Sequence, residues 1–401
     1  MEQVKWKNGS LKEVVSQNRK ITYGIVVPGP FEPDGNYMIR AQDYSKGWVN
    51  LESIYRVGEK IDSAYKRSRV RKGDILLTIV GSIGNTAQIP SELDGANLTQ
   101  QTARLSFDEH CADFYHAILQ SDIGKKQIYR FAKSGVQPSL NLGDVEKFII
   151  PIPPLPEQKK IAQILSTWDK AITTTEQLLT NSQQQKKALM QQLLTGKKRL
   201  LDTNEVRFSG EWKEVRLKSV LREVKTRNKD NSIDRVLSVT NHSGFVLPED
   251  QFSKRVASDD VSNYKVVKNG EYGYNPSRLN VGSFARLDSY EEGLLSPMYV
   301  VFSVNEKLLN SDYFMNWMSS NEAKQRISGS TQGSVRDSVG FDSLCGFPFK
   351  LPPMEEQQKI AAVLSTADQE ISALQQKLEA LKQEKKALMQ QLLTGKRRVL
   401  I

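Results

Sequence analysis

Pro153-Pro154-Leu155-Pro156-Glu157-Gln158 opens a stretch that closes on Lys186-Lys187-Ala188-Leu189-Met190-Gln191-Gln192-Leu193-Leu194-Thr195-Gly196-Lys197. The whole stretch, 153–200, recurs without a gap at 352–399, displaced by 199 residues, and 28 of its 48 positions are identical in the two copies. Identity of that extent marks a tandem duplication, and a duplication governs how every other segment is read.

The apolar spacing of the second copy alternates between four and three: Ile360, Leu364, Ala367, Ile371, Leu374, Leu378, Leu381, Lys385, Leu388, Leu392. That is a heptad seam on a helix. The first copy runs Ile161, Leu165, Trp168, Ile172, Thr175, Leu179, Ser182, Lys186, Leu189, Leu193, with a more polar middle. Each helix starts just after Pro-Pro, where proline is tolerated, and stops at Gly196 or Gly395 followed by basic residues. Roughly 40 residues at 1.5 Å each make a rod of about 60 Å. One apolar stripe per rod predicts that the two rods pack on each other.

Working outward, 401 residues suggest two to four domains. The hydrophobic fraction of 38% is low, as long solvated rods require. No run approaches 18 apolar residues, so no membrane span is expected. The start, Met1-Glu2-Gln3-Val4-Lys5-Trp6, does not resemble a signal peptide. Two cysteines, Cys111 and Cys345, form no metal spacing, and an intracellular, reducing, cytoplasmic setting is the expectation. The net charge is +10, and residues 151–200 alone hold eight basic against three acidic side chains. A basic excess of this size fits a nucleic-acid partner or a solvated surface.

Residues 1–152 read as a mixed globular domain. Strands are expected at Asn36–Arg40, Ile75–Val80, Thr102–Phe107 and Phe148–Ile150, with a turn at Val70–Asp74 and a tight loop at Gly81–Asn85. Asp113–Lys133 reads as one helix with Phe114, Ile118, Ile128 and Phe131 inward. Residues 201–351 repeat the plan in a different sequence: Trp212 and Leu217 match Trp6 and Leu11, Val267–Glu271 matches the turn at 70–74, and Asp312-Tyr313-Phe314 matches Asp113-Phe114-Tyr115. The expected domains are therefore 1–152, 153–200, 201–351 and 352–401, an α+β architecture. The contrast between variable domains and constant helices suggests two readers that diverged on one copied frame, with drift in a structural repeat as the alternative.

Motifs for chemistry are missing. His110, His116 and His242 stand in no metal spacing, and no nucleophile elbow, phosphate loop or dinucleotide fingerprint is present. Tyr274-Asn275-Pro276-Ser277 approaches the Asn-Pro-Pro-Tyr tetrapeptide of adenine methyltransferases but lacks its second proline and aromatic, and no glycine-rich cofactor loop accompanies it. Glu211-Trp212-Lys213 fits a fragment of many nuclease motifs but stands where Trp6-Lys7 stands in the first half, a structural position. No catalytic residue and no metal ligand is assigned.

Binding is better supported. Lys66, Arg67, Arg69, Arg71 and Lys72 form a basic run suited to holding phosphates. Base edges are read by Arg, Asn, Gln, Ser and Thr. The loops of the first domain offer Ser82, Asn85, Asn97, Thr99, Gln100, Gln101, Gln137, Ser139 and Asn141. The second domain offers Asn275, Arg278, Asn280, Ser283, Gln332, Ser334, Arg336 and Ser338.

With the twice-repeated Pro-Pro-Leu/Met-x-Glu-Gln-x-Lys-Ile-Ala-x-Ile/Val-Leu-Ser-Thr-x-Asp motif, the chain resembles the DNA-specificity (S) subunits of type I restriction–modification systems over its whole length. The resemblance implies two α/β target-recognition domains alternating with two long helices. These pair as an antiparallel coiled coil, a pseudo-twofold tandem repeat. It implies a non-catalytic subunit with no cofactor of its own. Such a subunit binds double-stranded DNA and reads one half of an asymmetric bipartite site with each domain, while the helices fix the gap. It implies two modification (methyltransferase) subunits, which bring S-adenosylmethionine, and ATP-dependent restriction subunits that translocate and cleave. A coiled-coil scaffold joining protein partners without touching DNA is the competing reading. It accounts for the rods and the charge but not for two divergent, polar-looped domains.

Overall fold

The computed structural model describes residues 6–133, 135, 137–251, 260–331 and 338–400. The chain forms two compact units, and each contains one globular domain with part of both long helices: Met1–Glu176 with Gln376–Ile401, and Gln177–Gln375. The helices are Leu155–Leu193 and Met354–Leu392, 39 residues each, so each is about 58 Å long.

The first unit centres on a four-stranded antiparallel sheet in the order Thr22–Tyr23, Thr102–Leu105, Ile75–Thr78, Thr86–Gln88. Ile75–Thr78 is buried along its whole length, as a continuous apolar run predicts for a central strand. One face of the sheet packs on helices Ala112–Gln120 and Asp122–Phe131 and on the long helices through Ile161, Leu165, Leu392 and Leu393. The other face covers a smaller core of Ile39, Tyr44, Leu76 and Leu98. The single helix expected over Asp113–Lys133 is two helices. Ser121 breaks it with an extended backbone, and its side chain accepts from the Ile123 N–H, capping the second helix. Gly124 allows the sharp corner, because a Cβ there would lie 2.4 Å from the Leu119 carbonyl oxygen. Phe114, Ile118 and Ile128 are buried as expected, and Phe131 is half-buried.

The second unit rebuilds the sheet in the order Leu221–Glu223, Val300–Val304, Tyr272–Tyr274, Phe284–Arg286. Its main core is more aromatic, with Tyr272, Tyr274, Phe302, Phe314 and Trp317 almost fully buried against Leu193, Ile360 and Leu364 of the long helices. In each unit a short antiparallel pair ties the start of the globular domain to its end: Lys7–Ser10 with Ile149–Ile152, and Lys213–Arg216 with Pro348–Leu351.

The helices run antiparallel within each unit. In the first, Asp169 pairs with Lys385 and Glu176 with Lys382; in the second, Asp368 pairs with Lys186. The seam residues Trp168, Ile172, Leu179, Leu189, Ile371, Leu374, Leu378, Leu381 and Leu388 are half-buried, and Ile161, Leu165, Leu193, Ile360, Leu364 and Leu392 are buried. The polar seam positions of the first helix are satisfied: Thr175 donates to its own Ala171 carbonyl at 2.8 Å, and Ser182 donates to Glu370 at 3.0 Å.

The Pro-Pro-x-x-Glu-Gln motif is a joint. Gln158 is fully buried; it accepts from the Cys111 N–H at 2.9 Å and donates to the Pro153 carbonyl at 2.8 Å. Gln357 does the same with Asn310 and Pro352. Glu157 accepts from Trp6 Nε1 at 2.8 Å and from Arg398 Nε at 2.9 Å, with the Arg398 guanidinium 5.3 Å from the Trp6 ring. Glu356 accepts from Trp212 Nε1 at 2.9 Å and from Arg199 Nε at 2.6 Å, with Arg199 5.5 Å from the Trp212 ring. Each arginine follows a glycine that ends a long helix, Gly196 at φ 72° and Gly395 at φ 70°. That left-handed residue turns the tail back over the start of the other helix. The carboxylate raises the pKa of Arg199 and of Arg398 further. Removing the arginine of such a pair takes the counter-charge from a buried carboxylate.

Candidate nucleic-acid interface

In the first unit, backbone hydrogen bonds gather three polar loops at one end of strand Ile75–Thr78. Ile79 N–H donates to Gln101 O at 2.8 Å, Leu140 N–H to Ile79 O at 2.8 Å, and Gly81 N–H to Pro138 O at 3.0 Å. Gly81 and Gly84, at φ 82° and 90°, make the tight loop that carries Ser82 and Asn85. Ser82, Gln100, Gln101 and Gln137 are exposed there, and Asn85, Thr99 and Ser139 are half-buried. The Thr99 hydroxyl is buried and has no hydrogen-bond partner. Asn141 is exposed and donates to Asp144 at 3.3 Å. Asn97, by contrast, is fully buried and bonded to Asp62 and Ser68, which removes it from the surface.

The basic run occupies the opposite end of the same strand, a rise of about 13 Å for four residues away. Lys66, Arg67 and Arg71 are exposed, whereas Arg69 is half-buried and salt-bridged to Asp62. Lys72 is exposed as well, and its N–H donates to Asp94. The basic residues and the polar loops, adjacent in the sequence argument, are thus two separate patches.

In the second unit Asn275 caps the short 3-10 helix Pro276–Val281, accepting from the Ser277 N–H at 3.0 Å. This accounts for the Asn-Pro dipeptide as a turn. Arg278 and Asn280 are exposed on that turn. Ser283 is buried and donates to the Val239 carbonyl at 2.8 Å, so it presents nothing to solvent. Val339 N–H donates to Pro276 O at 3.0 Å, which brings the half-buried Ser338 beside the same turn. Gln332, Ser334 and Arg336 lie outside the described residues.

Two features escape sequence reasoning. One is Arg104, buried in a strand and caged by carbonyls; a lone arginine between Ala103 and Leu105 gives no signal. The other is a groove that occurs once in each unit. In the first unit it is lined by Lys385, Met389, Gln390, Leu393 and Thr394 of the second long helix and its tail, with Lys125, and measures about 410 Å³. In the second it is lined by Lys186, Met190, Gln191, Leu194 and Thr195, with Lys324, and measures about 670 Å³. Every one of these positions is displaced by 199, so the repeat itself was the signal. Among the described residues no cluster could hold a metal ion, and no helix is long and apolar enough to cross a membrane.

The family described as "Type I restriction modification DNA specificity domain" matches residues 3–181 and 259–383, well over half of the chain. The chain belongs to that family. It is 32% identical over 160 residues to the EcoBI specificity subunit of Escherichia coli, an overlap of 39% of this chain and 34% of that subunit. It is 25% identical over 422 aligned residues to the putative MjaX specificity subunit of Methanocaldococcus jannaschii, covering 98% of this chain and 94% of that one. The crystal structure of a type I restriction–modification S subunit from M. genitalium superposes with a TM-score of 0.58 at 13% identity, covering 98% of this chain and 97% of that one. A second type I system structure, from work on complex assembly and conformational transition, gives a TM-score of 0.55 at 16% identity over 98% of this chain and 99% of that one. At such identities the superpositions speak for the fold: two α/β domains interleaved with two long helices.

Proposed function

We propose that this chain is the sequence-specific, non-catalytic DNA-binding subunit of a type I restriction–modification complex, reading one half of an asymmetric bipartite site with each globular domain. The observation that carries the reading is the contrast within the duplication. Helices, joints and grooves are copied, while the exposed loops at the sheet ends differ between the halves. Base readout belongs to Ser82, Gln100, Gln101 and Gln137 in the first domain and to Arg278 and Asn280 in the second, residue types that reach base edges. Lys66, Arg67 and Arg71 hold backbone phosphates. The long helices, unbroken from one unit into the other, set the gap between half-sites. Two copies of one groove suit two copies of one partner, the modification subunit. Restriction subunits join that assembly.

The test replaces 201–351 with a foreign recognition domain in a host that carries the cognate modification subunits, and sequences the methylome. The expected result is a new sequence in one half-site, with the other half and the gap retained. A change in both halves, or none in an active complex, overturns the modular reading.

A further inference from the structure

We propose that a cavity at the sheet edge of the first unit holds a phosphate group of the DNA backbone, a contact the second unit does not make; the inference rests on the DNA-binding reading above. The cavity, about 750 Å³, is open to solvent and lined by seven basic side chains and one carboxylate, Asp94. Arg19 and Arg69 have counter-charges: Arg19 makes a two-pronged bond to Asp74 at 2.9 Å on each prong, and Arg69 pairs with Asp62. Lys20, Lys66, Arg67, Arg71 and Arg104 face the cavity with Asp94 as the one lining acid.

Arg104 is the decisive group. It is 3% exposed, and its guanidinium is held by carbonyls alone, those of Lys20, Arg67 and Arg69. A guanidinium has five N–H donors, so three such bonds leave two, and its Nε is buried without a partner. Desolvation and the neighbouring Arg19 push its pKa down to about 10 against the pull of Asp74, whose carboxylate is taken up by Arg19. The fold itself does not require this charge. Counting from the turn that precedes each central strand, Ile75 pairs with Leu105 and Tyr272 with Phe302, so Arg104 corresponds to Val301. That valine is fully buried in an apolar core. At the same sheet edge of the second unit a cavity of about 670 Å³ carries Arg222 and Lys307 balanced by Glu271 and Glu306. A dianion or a phosphodiester supplies the missing charge in the first unit and accepts from several donors at once. The cavity lies at the end of the sheet away from the polar loops, so a phosphate there positions the duplex without reading bases.

The experiment uses the full chain assembled with its modification subunits and titrates it with target and unrelated duplexes across a salt series. Replacing Lys66, Arg67 and Arg71 together by alanine is expected to weaken both duplexes by a similar factor, about tenfold. The same change lowers the slope of log affinity against log salt by about 1 to 2. Arg222→Ala with Lys307→Ala in the second unit leaves the slope unchanged. An unchanged slope in the triple variant, with wild-type binding intact, overturns this inference and the phosphate role given to Lys66, Arg67 and Arg71, and leaves the reading of the chain as a DNA-binding subunit standing. A wild-type complex that binds no duplex overturns the parent reading too. A second arm measures thermal stability with inorganic phosphate at constant ionic strength. Stabilisation of wild type but not of the triple variant, with DNA binding unaltered in both, assigns the cavity to a free phosphoanion and overturns the backbone assignment.

Discussion

The two units agree where the globular domain meets the long helices and differ within the central sheet. At the joint, Trp6, Glu157 and Arg398 in one unit do what Trp212, Glu356 and Arg199 do in the other, with the same donors on the same carboxylate. On the second strand of the sheet, one unit keeps a caged arginine and the other a valine in equivalent register. The difference separates what the frame needs from what each domain adds to it. A side chain that appears in both units is there to hold the frame. One that appears in a single unit, at a cost in desolvation, calls for a ligand or a local reason.

The comparison breaks first at position 301. Val301→Arg puts a guanidinium among Leu237, Val267 and Leu295, in an apolar core. A loss of about 4 kcal/mol is expected, confined to the second unit, and differential scanning calorimetry with hydrogen exchange resolves it. A loss below about 1 kcal/mol would mean that the second unit also has a place for the charge, and the contrast between the units would fail.

The joints come next. Glu157→Ala removes the acceptor shared by Arg398 and Trp6 Nε1 in the first unit, and Glu356→Ala removes the acceptor shared by Arg199 and Trp212 Nε1 in the second. Each should cost about 2 kcal/mol, the loss of charge-assisted hydrogen bonds to one carboxylate. Hydrogen exchange should show loosened protection in its own unit only. If the two variants differ by more than about 1 kcal/mol, the joints are alike in geometry but not in energy.

The smallest effect concerns pH. Burial lowers the pKa of His116, whose Nε2 lies 3.1 Å from Thr86 Oγ1 and from Gln120 Nε2. The unfolded chain then takes up the proton at a higher pH than the folded one. Stability of the first unit is complete above the ordinary value of 6.5 and falls as pH drops through the lower folded value. His116→Gln should flatten that part of the pH profile of the first unit. A profile unchanged by the substitution removes the histidine from the account.

The helices and the duplication were legible in the chain because both are periodic: a seam repeating every seven residues and a copy displaced by 199. The family resemblance rested on the same motif, and the family match and the fold agree with it. The sheets were less legible. Ile75–Thr78 stood out as an apolar run, but Asp113–Lys133 hid a break at Ser121, because a single serine cap does not interrupt helical periodicity. At the candidate interface the residue types could be named and their grouping could not. The basic run and the polar loops follow each other closely in sequence, yet a buried four-residue strand holds them apart.

By itself, the sequence determined that the chain is built twice, where each long helix begins and ends, and which side chains line the seam. Those are local properties, set by spacing along one backbone. Tertiary structure alone decided that Glu157 meets an arginine 241 positions away, that Ser283 turns inward while Arg278 turns out, and that Arg104 is buried in a cage of backbone carbonyls. Each of those depends on which backbone carbonyl or carboxylate arrives from elsewhere in the chain, and spacing along the sequence carries no record of that arrival.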